Sequence, residues 1–581
     1  MCGIIGVICK NGCKNTVFDG LKKLQYRGYD SAGICIQKKL SLNIFKALGV
    51  IENLEKNVNI DGDLAIGHTR WATHGSVCQE NAHPIKTGDW AVVHNGIIEN
   101  YITIANQLSQ ENIVFKTQTD TEVISALLSQ NKNIDSILSL IKVTKKLVGS
   151  YAFCAVREGE KAIYAAKHSS PLYAQVNDDC VIIASDPICF KNGKYYKFED
   201  DEIARLKENK IEFFSKNGQK IDKKLVSSEK IEQPLTKNGC EHFMLKEIYE
   251  TPSVLRKLVE NFSNLNLNKL KKLKFDKVKL VGCGTALHSC MLGAEYFKRI
   301  LKVEAEAIAA SEFKYEKQLL SKKTLCIFVS QSGETADTLS ALEKAKKSGC
   351  KIITLTNVSY STMAGCSDIV LPISAGVEVA VASTKAYCAQ VAALYLLVQI
   401  FNNKLEKGLN QIEKLSKTIE KFFINMSDFA SNFIAARNVM FIGKGLDYVT
   451  ALEGSLKLKE ISYINCLACL SGELKHGTLA LVEEGYKIVA IATDEITFSK
   501  NMNSALEAKA RGANIYLICA QPPKPEQLND FKFCLSLPKC PKLLRPILSV
   551  MPLQMLAYNV AVRRGFDPDK PRNLAKSVTV E

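Results

Sequence analysis

Nowhere in this sequence do apolar residues run for the roughly 18 positions that a membrane-crossing helix requires. The best stretch, Val391 to Ile400, reads as a core helix. A basic leader followed by a small-residue cleavage site is also missing, since the chain starts Met-Cys-Gly-Ile-Ile-Gly-Val. Secretion is not expected, and the twenty cysteines are expected to be thiols in a reducing, cytoplasmic setting. Cys9, Cys35, Cys154, Cys326 and Cys519 lie in apolar stretches, as small buried hydrophobes do. Zinc-ligand spacing is lacking too: Cys466 and Cys469 form one C-x-x-C with no second pair and only His476 nearby, so no metal is expected. Proline is sparse, 15 in 581 residues, and glycine is ordinary at 33, which excludes collagen-like and proline-rich disordered chains. No helix-turn-helix, finger or RNA-recognition motif accompanies the net charge of +16. The lysines are dispersed, and their densest run, Lys269 to Lys279, alternates with Leu, Phe and Val as a solvated helix leading into a strand. No nucleic-acid partner is expected; a basic surface instead suits a small anionic substrate.

What is present is length and hydrophobicity: 46% apolar residues over 581 positions, enough for three or four cores. The first ~240 residues read as short strands between turns, at Gly3 to Cys9, Ala32 to Gln37, Leu64 to Thr69, Trp90 to His94, Tyr151 to Val156 and Val181 to Ala184. Helical patterns interrupt them at Asp120 to Ser129, opening on a capping-type Asp, and at Ile134 to Leu147. The polar stretch Ser215 to Asn238 reads as closing strands and a linker. After Glu241, strands alternate with long helices, which predicts parallel sheets covered on both faces. That region also repeats: Lys279-Leu-Val-Gly-Cys-Gly-Thr285 matches Met440-Phe-Ile-Gly-Lys-Gly-Leu446, and Leu342 to Gly349 before one strand matches Glu507 to Gly512 before another. Two copies of one doubly wound α/β domain are predicted.

The copies differ at the end of a strand. The first reads Ser330-Gln-Ser-Gly-Glu-Thr335 ahead of a helix, small hydroxyls and exposed amides that suit an anion, beside the glycine turn Gly282 to Thr285. The second reads Ala492-Thr-Asp-Glu-Ile-Thr497, whose Asp494 and Glu495 repel a phosphate. Glu453, Lys457 and Glu460 fall at i, i+4 and i+7 of one helix. Surface ion pairing is the ordinary reading of such a stripe, yet Leu456, Leu458 and Ile461 on the other faces predict that it looks into a cleft. His476, in the glycine-bounded Gly472 to Gly477, is a candidate proton shuttle. Cys2 is small enough to permit removal of Met1, and a free N-terminal cysteine combines a thiol nucleophile with its own amine base.

Met1-Cys-Gly-Ile-Ile-Gly, Tyr26-Arg-Gly-Tyr-Asp-Ser-Ala-Gly33, Gly67-His-Thr-Arg-Trp-Ala-Thr-His-Gly75 and His94-Asn-Gly96 resemble an N-terminal-nucleophile glutamine amidotransferase domain. Ser330 to Thr338, Val381-Ala-Ser-Thr-Lys385, Glu453 to Ser462, Ser471 to Gly477 and the tail Pro571 to Glu581 resemble paired sugar-isomerase (SIS) domains. In this order, along nearly the whole chain, they resemble the isomerising glutamine:fructose-6-phosphate aminotransferases, the glucosamine-6-phosphate synthases.

The resemblance implies a multidomain α/β protein: an αββα glutaminase at 2–238, doubly wound parallel-sheet sugar-isomerase domains at 242–405 and 410–565, and a catalytic tail at 566–581. It implies that Cys2 attacks the glutamine amide with Asn95 and Gly96 as oxyanion hole. Arg70 and Asp120 hold the amino acid, and Trp71, Thr73 and His74 close the site. Ammonia passes inside the protein, with Trp71 as a gate. The sugar phosphate is expected on Thr285, Ser330, Gln331, Ser332, Thr335, Val381 and Ser383, beside Glu453 and Lys457. His476, from a partner subunit of a homodimer, assists ring opening, Lys576 forms the Schiff base, and Glu460 moves the proton between C1 and C2. No cofactor is implied, and the product opens amino-sugar biosynthesis. Ala286 departs from the family's usual Ser, which puts one sugar contact in doubt. Thr478 replaces a usual Pro, so the His476 loop is expected to be less rigid. The short linker is similar to that of bacterial forms, and end-product feedback is not expected. Amidotransferases of the phosphoribosyl or asparagine type share only the first domain, and the Ser-Gly-Gly-x-Asp-Ser motif of an ATP pyrophosphatase is absent. A sugar-phosphate sensor without chemistry is the non-enzyme alternative.

Overall fold

A computed structural model describes residues 2–190, 193–227, 236–422 and 426–578. The chain forms two compact units, one of residues 1–234 with 575–581 and one of residues 235–574.

Alternating apolar strands build the first unit as two stacked antiparallel sheets of eight and seven strands. Gly3–Cys9 lies inside the larger sheet between Leu64–Arg70 and Cys180–Ala184, and Trp90–Ile98 pairs with Gly149–Arg157 in the smaller. Apolar side chains such as Ile4, Ile66, Val93 and Cys154 meet between the sheets. The outer face of the larger sheet buries the helix Lys14–Leu24, and that of the smaller sheet buries Tyr101–Gln110, Glu122–Gln130 and Ser136–Thr144. The result is a four-layer αββα sandwich. All six strands expected in this unit are present, as are both helices.

Two expectations are corrected here. Asp120 does not cap the following helix, whose first turn has no side-chain cap. Its Oδ2 instead accepts from the Ile98 amide at 2.8 Å, which turns the carboxylate back onto the strand that carries Asn95. Cys9 is not a thiol: it is joined to Cys180, directly opposite it on the neighbouring antiparallel strand. A separation of 171 residues gives no spacing signal for such a pair.

The second unit holds two five-stranded parallel sheets. In each, the second strand of the chain order lies outside the first, and the third, fourth and fifth follow on its other side. The repeat is thus a structural duplication. Gly284 and Gly445 adopt the same backbone, φ 51° and ψ −124° against φ 61° and ψ −127°, which side chains exclude, so each first strand turns into its helix through glycine. Among the described residues no helix is long and apolar enough to cross a membrane. Lys385–Phe401, which contains the most apolar run, is buried along nearly its whole length among the other helices of this unit.

Candidate active sites

In the first unit one cavity is lined by Cys2, Arg70, Trp71, Thr73, His74, Gly96 and Asp120, all expected from the sequence, and by His83, His94, Thr119 and Thr121, which were not. Cys2 leads into the strand Gly3–Cys9, and its Sγ accepts from the Trp71 amide at 3.3 Å. Burial pushes its thiol up from the ordinary value, so the resting sulfur is protonated and needs a base on attack. Asn95 donates from Nδ2 to the Cys2 carbonyl at 3.0 Å, which aims its amide at the cysteine. Arg70 is buried and holds the loop after it through the His74 carbonyl and, at 3.3 Å, the Ser76 carbonyl. Asp30 adds a bond from the Ala72 amide at 2.8 Å.

The Tyr26 to Gly33 motif forms the wall behind this loop. Tyr26 and Arg27 share the Asp186 carboxylate at 2.7 and 2.6 Å. Gly28 lies so close to the chain that an added Cβ would fall 2.7 Å from the Arg70 carbonyl carbon. The glycine therefore permits the approach that sets the position of Arg70 and Trp71.

In the second unit the stripe on helix Leu446–Ser462 is buried. Glu453 and Lys457 are sealed from solvent, and the Lys457 ammonium lies 2.7 Å from Glu460 and 3.5 Å from Glu453. Across the junction between the two copies, Thr285 donates to Glu453 and accepts from Lys457, both at 3.1 Å, while His288 Nδ1 lies 2.7 Å from Glu453. Burial alone raises a carboxyl, yet Lys457 and His288 outweigh it and hold Glu453 below its usual value. Burial likewise lowers an ammonium, yet Glu460 and Glu453 hold Lys457 above its usual value. The cluster is a charged, hydrogen-bonded unit and not a surface ladder. His288 was missed because its partner is 165 residues away.

Beside it, at the carboxyl ends of the adjacent strands Lys277–Gly282 and Thr324–Ser330, the loop before helix Ala336–Lys347 forms a cradle. Ser330 Oγ shares a bond with Thr335 Oγ1 at 3.0 Å and accepts from the Gly333 amide, and Ser332 Oγ accepts from the Glu334 amide at 3.2 Å. No side chain caps this helix, and the positive end of its dipole favours an anion at the loop. The Ser383 hydroxyl donates to Glu378 at 3.0 Å, and the Val381 amide to the Asp569 carbonyl at 3.1 Å.

The second copy is arranged differently. Strand register places Thr493 and Asp494 where the first copy has Gln331 and Ser332, and both their amides donate to the Asp447 carboxylate, at 2.8 and 3.2 Å. Glu495 pairs with Arg545 at 2.8 Å and with Lys542. An internal carboxylate thus stands where an external anion would bind.

His476 is exposed in the turn Leu474–His476 and, among the described residues, shares no hydrogen bond with the stripe. Lys576 is half-buried and belongs to the first unit.

A glutamine amidotransferase domain family matches residues 68–192, and the SIS domain family matches residues 273–400 and 432–564. Over 610 aligned residues covering all of both chains, the sequence is 41% identical to a protein of Caldanaerobacter subterraneus subsp. tengcongensis named glutamine--fructose-6-phosphate aminotransferase [isomerizing]. A protein of that name from Clostridium acetobutylicum is 40% identical over 611 residues, again covering all of both chains. Among solved structures, the C-terminal domain of glucosamine-fructose-6-phosphate aminotransferase from Francisella tularensis matches with a TM-score of 0.54 and 33% identity, covering 58% of this chain and 100% of that one.

Proposed function

The chain belongs to the family of isomerising glutamine–fructose-6-phosphate aminotransferases, and from that premise we propose that it transfers the amide nitrogen of L-glutamine to fructose 6-phosphate. The products are glutamate and glucosamine 6-phosphate, the entry to amino-sugar biosynthesis. The observation that carries the reading is the cavity that gathers Cys2, Gly96, Arg70 and Asp120 around one sulfur.

After Met1 is removed, the Cys2 α-amine takes the thiol proton as sulfur attacks the glutamine amide carbon. Asn95 Nδ2 and the Gly96 amide stabilise the oxyanion, while the Arg70 guanidinium and the Asp120 carboxylate hold the α-carboxylate and α-amine. Collapse expels ammonia, which carries the proton returned by the amine, and water hydrolyses the thioester to glutamate. Ammonia travels within the protein, past Trp71, because in water it would be protonated and lost as a nucleophile.

At the sugar site Ser330, Gln331, Ser332 and Thr335 hold the phosphate, with Thr285, Val381 and Ser383 along the sugar. His476 of a partner subunit assists ring opening, which fits its exposure on its own chain. The neutral Lys576 amine forms an imine at C2 with loss of water, and ammonia then displaces the lysine. Glu460 removes a proton from C1 and returns it to C2, converting the ketose skeleton to an aldose, while Glu453 and Lys457 fix its position. The domains act as a glutaminase at 2–238, isomerase copies at 242–405 and 410–565, and a tail at 566–581, in a cytoplasmic homodimer.

The test is product formation by the purified chain with both substrates, alongside Cys2→Ala. The reading predicts glutamate and glucosamine 6-phosphate in equal amounts from the parent chain, and neither from the variant. Glutamate release by Cys2→Ala would remove the cysteine from the mechanism.

A further inference from the structure

Three histidines crowd beside the nucleophile, and one of them meets the oxyanion-hole asparagine. His68 Nε2 lies 3.1 Å from Asn95 Oδ1 and 3.0 Å from the His94 carbonyl. The other end of the Asn95 amide, Nδ2, lies 3.0 Å from the Cys2 carbonyl, which can only accept. Oδ1 is therefore the end facing His68, and both neighbours of Nε2 are acceptors. The ring proton must sit on Nε2, and Nδ1 is buried without a partner, as the bare nitrogen of a neutral ring. We infer that His68 is a positioning residue for the oxyanion hole: its Nε2–H locks the Asn95 carboxamide with Nδ2 toward Cys2. This rests on the glutaminase reading and deepens it.

The placement of His68 suits that role. It lies on Leu64–Arg70, paired in one sheet with the strand that Cys2 leads into, while Asn95 lies on Trp90–Ile98 of the other sheet. The His68–Asn95 bond thus crosses the sandwich and ties the nucleophile's sheet to the donor's. His83 fixes the ring from its face, with centroids 4.4 Å apart, and is itself held by the His94 amide, which donates to its Nδ1 at 3.4 Å. Burial, aided by the nearby Arg70 and His94 and opposed by the bond to Asn95, lowers the His68 pKa to about 3. The donor tautomer therefore persists through any working pH. With an apolar residue in its place, Oδ1 loses its donor and the amide can turn a lone pair toward the developing negative charge.

The experiment measures glutamate release, with kcat and KM for glutamine determined separately, for the parent chain, His68→Leu, His68→Gln, Asn95→Ala and the double variant His68→Leu/Asn95→Ala. His68→Leu should lose roughly 100-fold or more in kcat, the scale of one lost oxyanion donor, with KM changed less than about threefold because Arg70 and Asp120 are untouched. His68→Gln offers an N–H at similar reach and should stay within about fivefold of the parent chain. The double variant should be no slower than Asn95→Ala, as expected for a residue acting through Asn95. Parent-like kcat in His68→Leu, equal losses in Leu and Gln, or additive losses in the double variant would overturn the inference. Should His68→Leu not fold, His68→Gln decides alone, and a tenfold loss there contradicts it. Absence of glutamate release from the parent chain would instead overturn the glutaminase reading itself.

Discussion

Asp447 and Ala286 occupy the same place in the two α/β copies, two residues after Gly445 and Gly284, and only Asp447 satisfies the neighbouring loop with its own carboxylate. Together with Asp494 and Glu495, which stand where the first copy has Ser332 and Gly333, this carboxylate separates the second loop from the first.

Ala286→Asp should therefore close the first cradle. A carboxylate there would meet the Gln331 and Ser332 amides as Asp447 meets those of Thr493 and Asp494, and would repel a phosphate. The expected result is loss of fructose 6-phosphate binding by titration calorimetry, at least about tenfold in Kd for one lost charged contact. Glutaminase activity without sugar should persist. Unchanged sugar affinity would show that the copies are not equivalent at this position.

Asp447 itself should make stability depend on pH. Burial raises its pKa from 3.8 to about 6, against the hydrogen bonds from Thr493 that lower it. The folded chain therefore binds this proton more tightly than the unfolded chain. Its contribution is fully present below about pH 4 and is lost as the pH rises through about 6, on the order of 3 kcal/mol at most. Asn at this position does not titrate. The Tm of the parent chain minus that of Asp447→Asn should fall between about pH 4 and 6 and then level off. A constant difference would contradict the argument.

The buried stripe gives a prediction about charge. Lys457→Met removes the one ammonium that Glu453 and Glu460 share, leaving buried carboxylates uncompensated at a cost of about 3–5 kcal/mol. Thermal unfolding should shift down by roughly 5 °C or more. Lys457→Met/Glu453→Gln should regain most of that loss without regaining synthase activity. A double variant no more stable than the single would mean that Glu453 does not need the lysine charge.

These relationships were legible in the sequence to different degrees. The parallel sheets and the duplication could be read because short β-α units repeat glycine turns at a fixed period. The stripe could be read because Glu453, Lys457 and Glu460 share one helix, where spacing alone fixes the face. His288 and Thr285 could not be matched to Glu453, since that contact joins two copies of the domain, and no local pattern reports it. The neighbours of Cys2 were legible only as motifs: His68, His83 and His94 come together through sheet stacking, a non-local event. Strands such as Ser41–Leu48 and Lys210–Ser215 escaped because their half-buried and exposed positions carry Lys, Asn, Glu and Ser, which dilute the apolar alternation. Cys9 with Cys180 and Asp120 with Ile98 were hidden for the same reason, since each depends on a partner strand or loop distant in sequence.

The central claim is that nitrogen passes from a glutamine held at Cys2 to a sugar phosphate held at the Ser330 loop. Its most direct test gives the purified chain amide-15N glutamine and fructose 6-phosphate in a large excess of unlabelled ammonium, and measures the mass of the amino sugar formed. The account predicts glucosamine 6-phosphate carrying 15N without dilution. Absence of that product, or product carrying the unlabelled nitrogen of the solution, would contradict it.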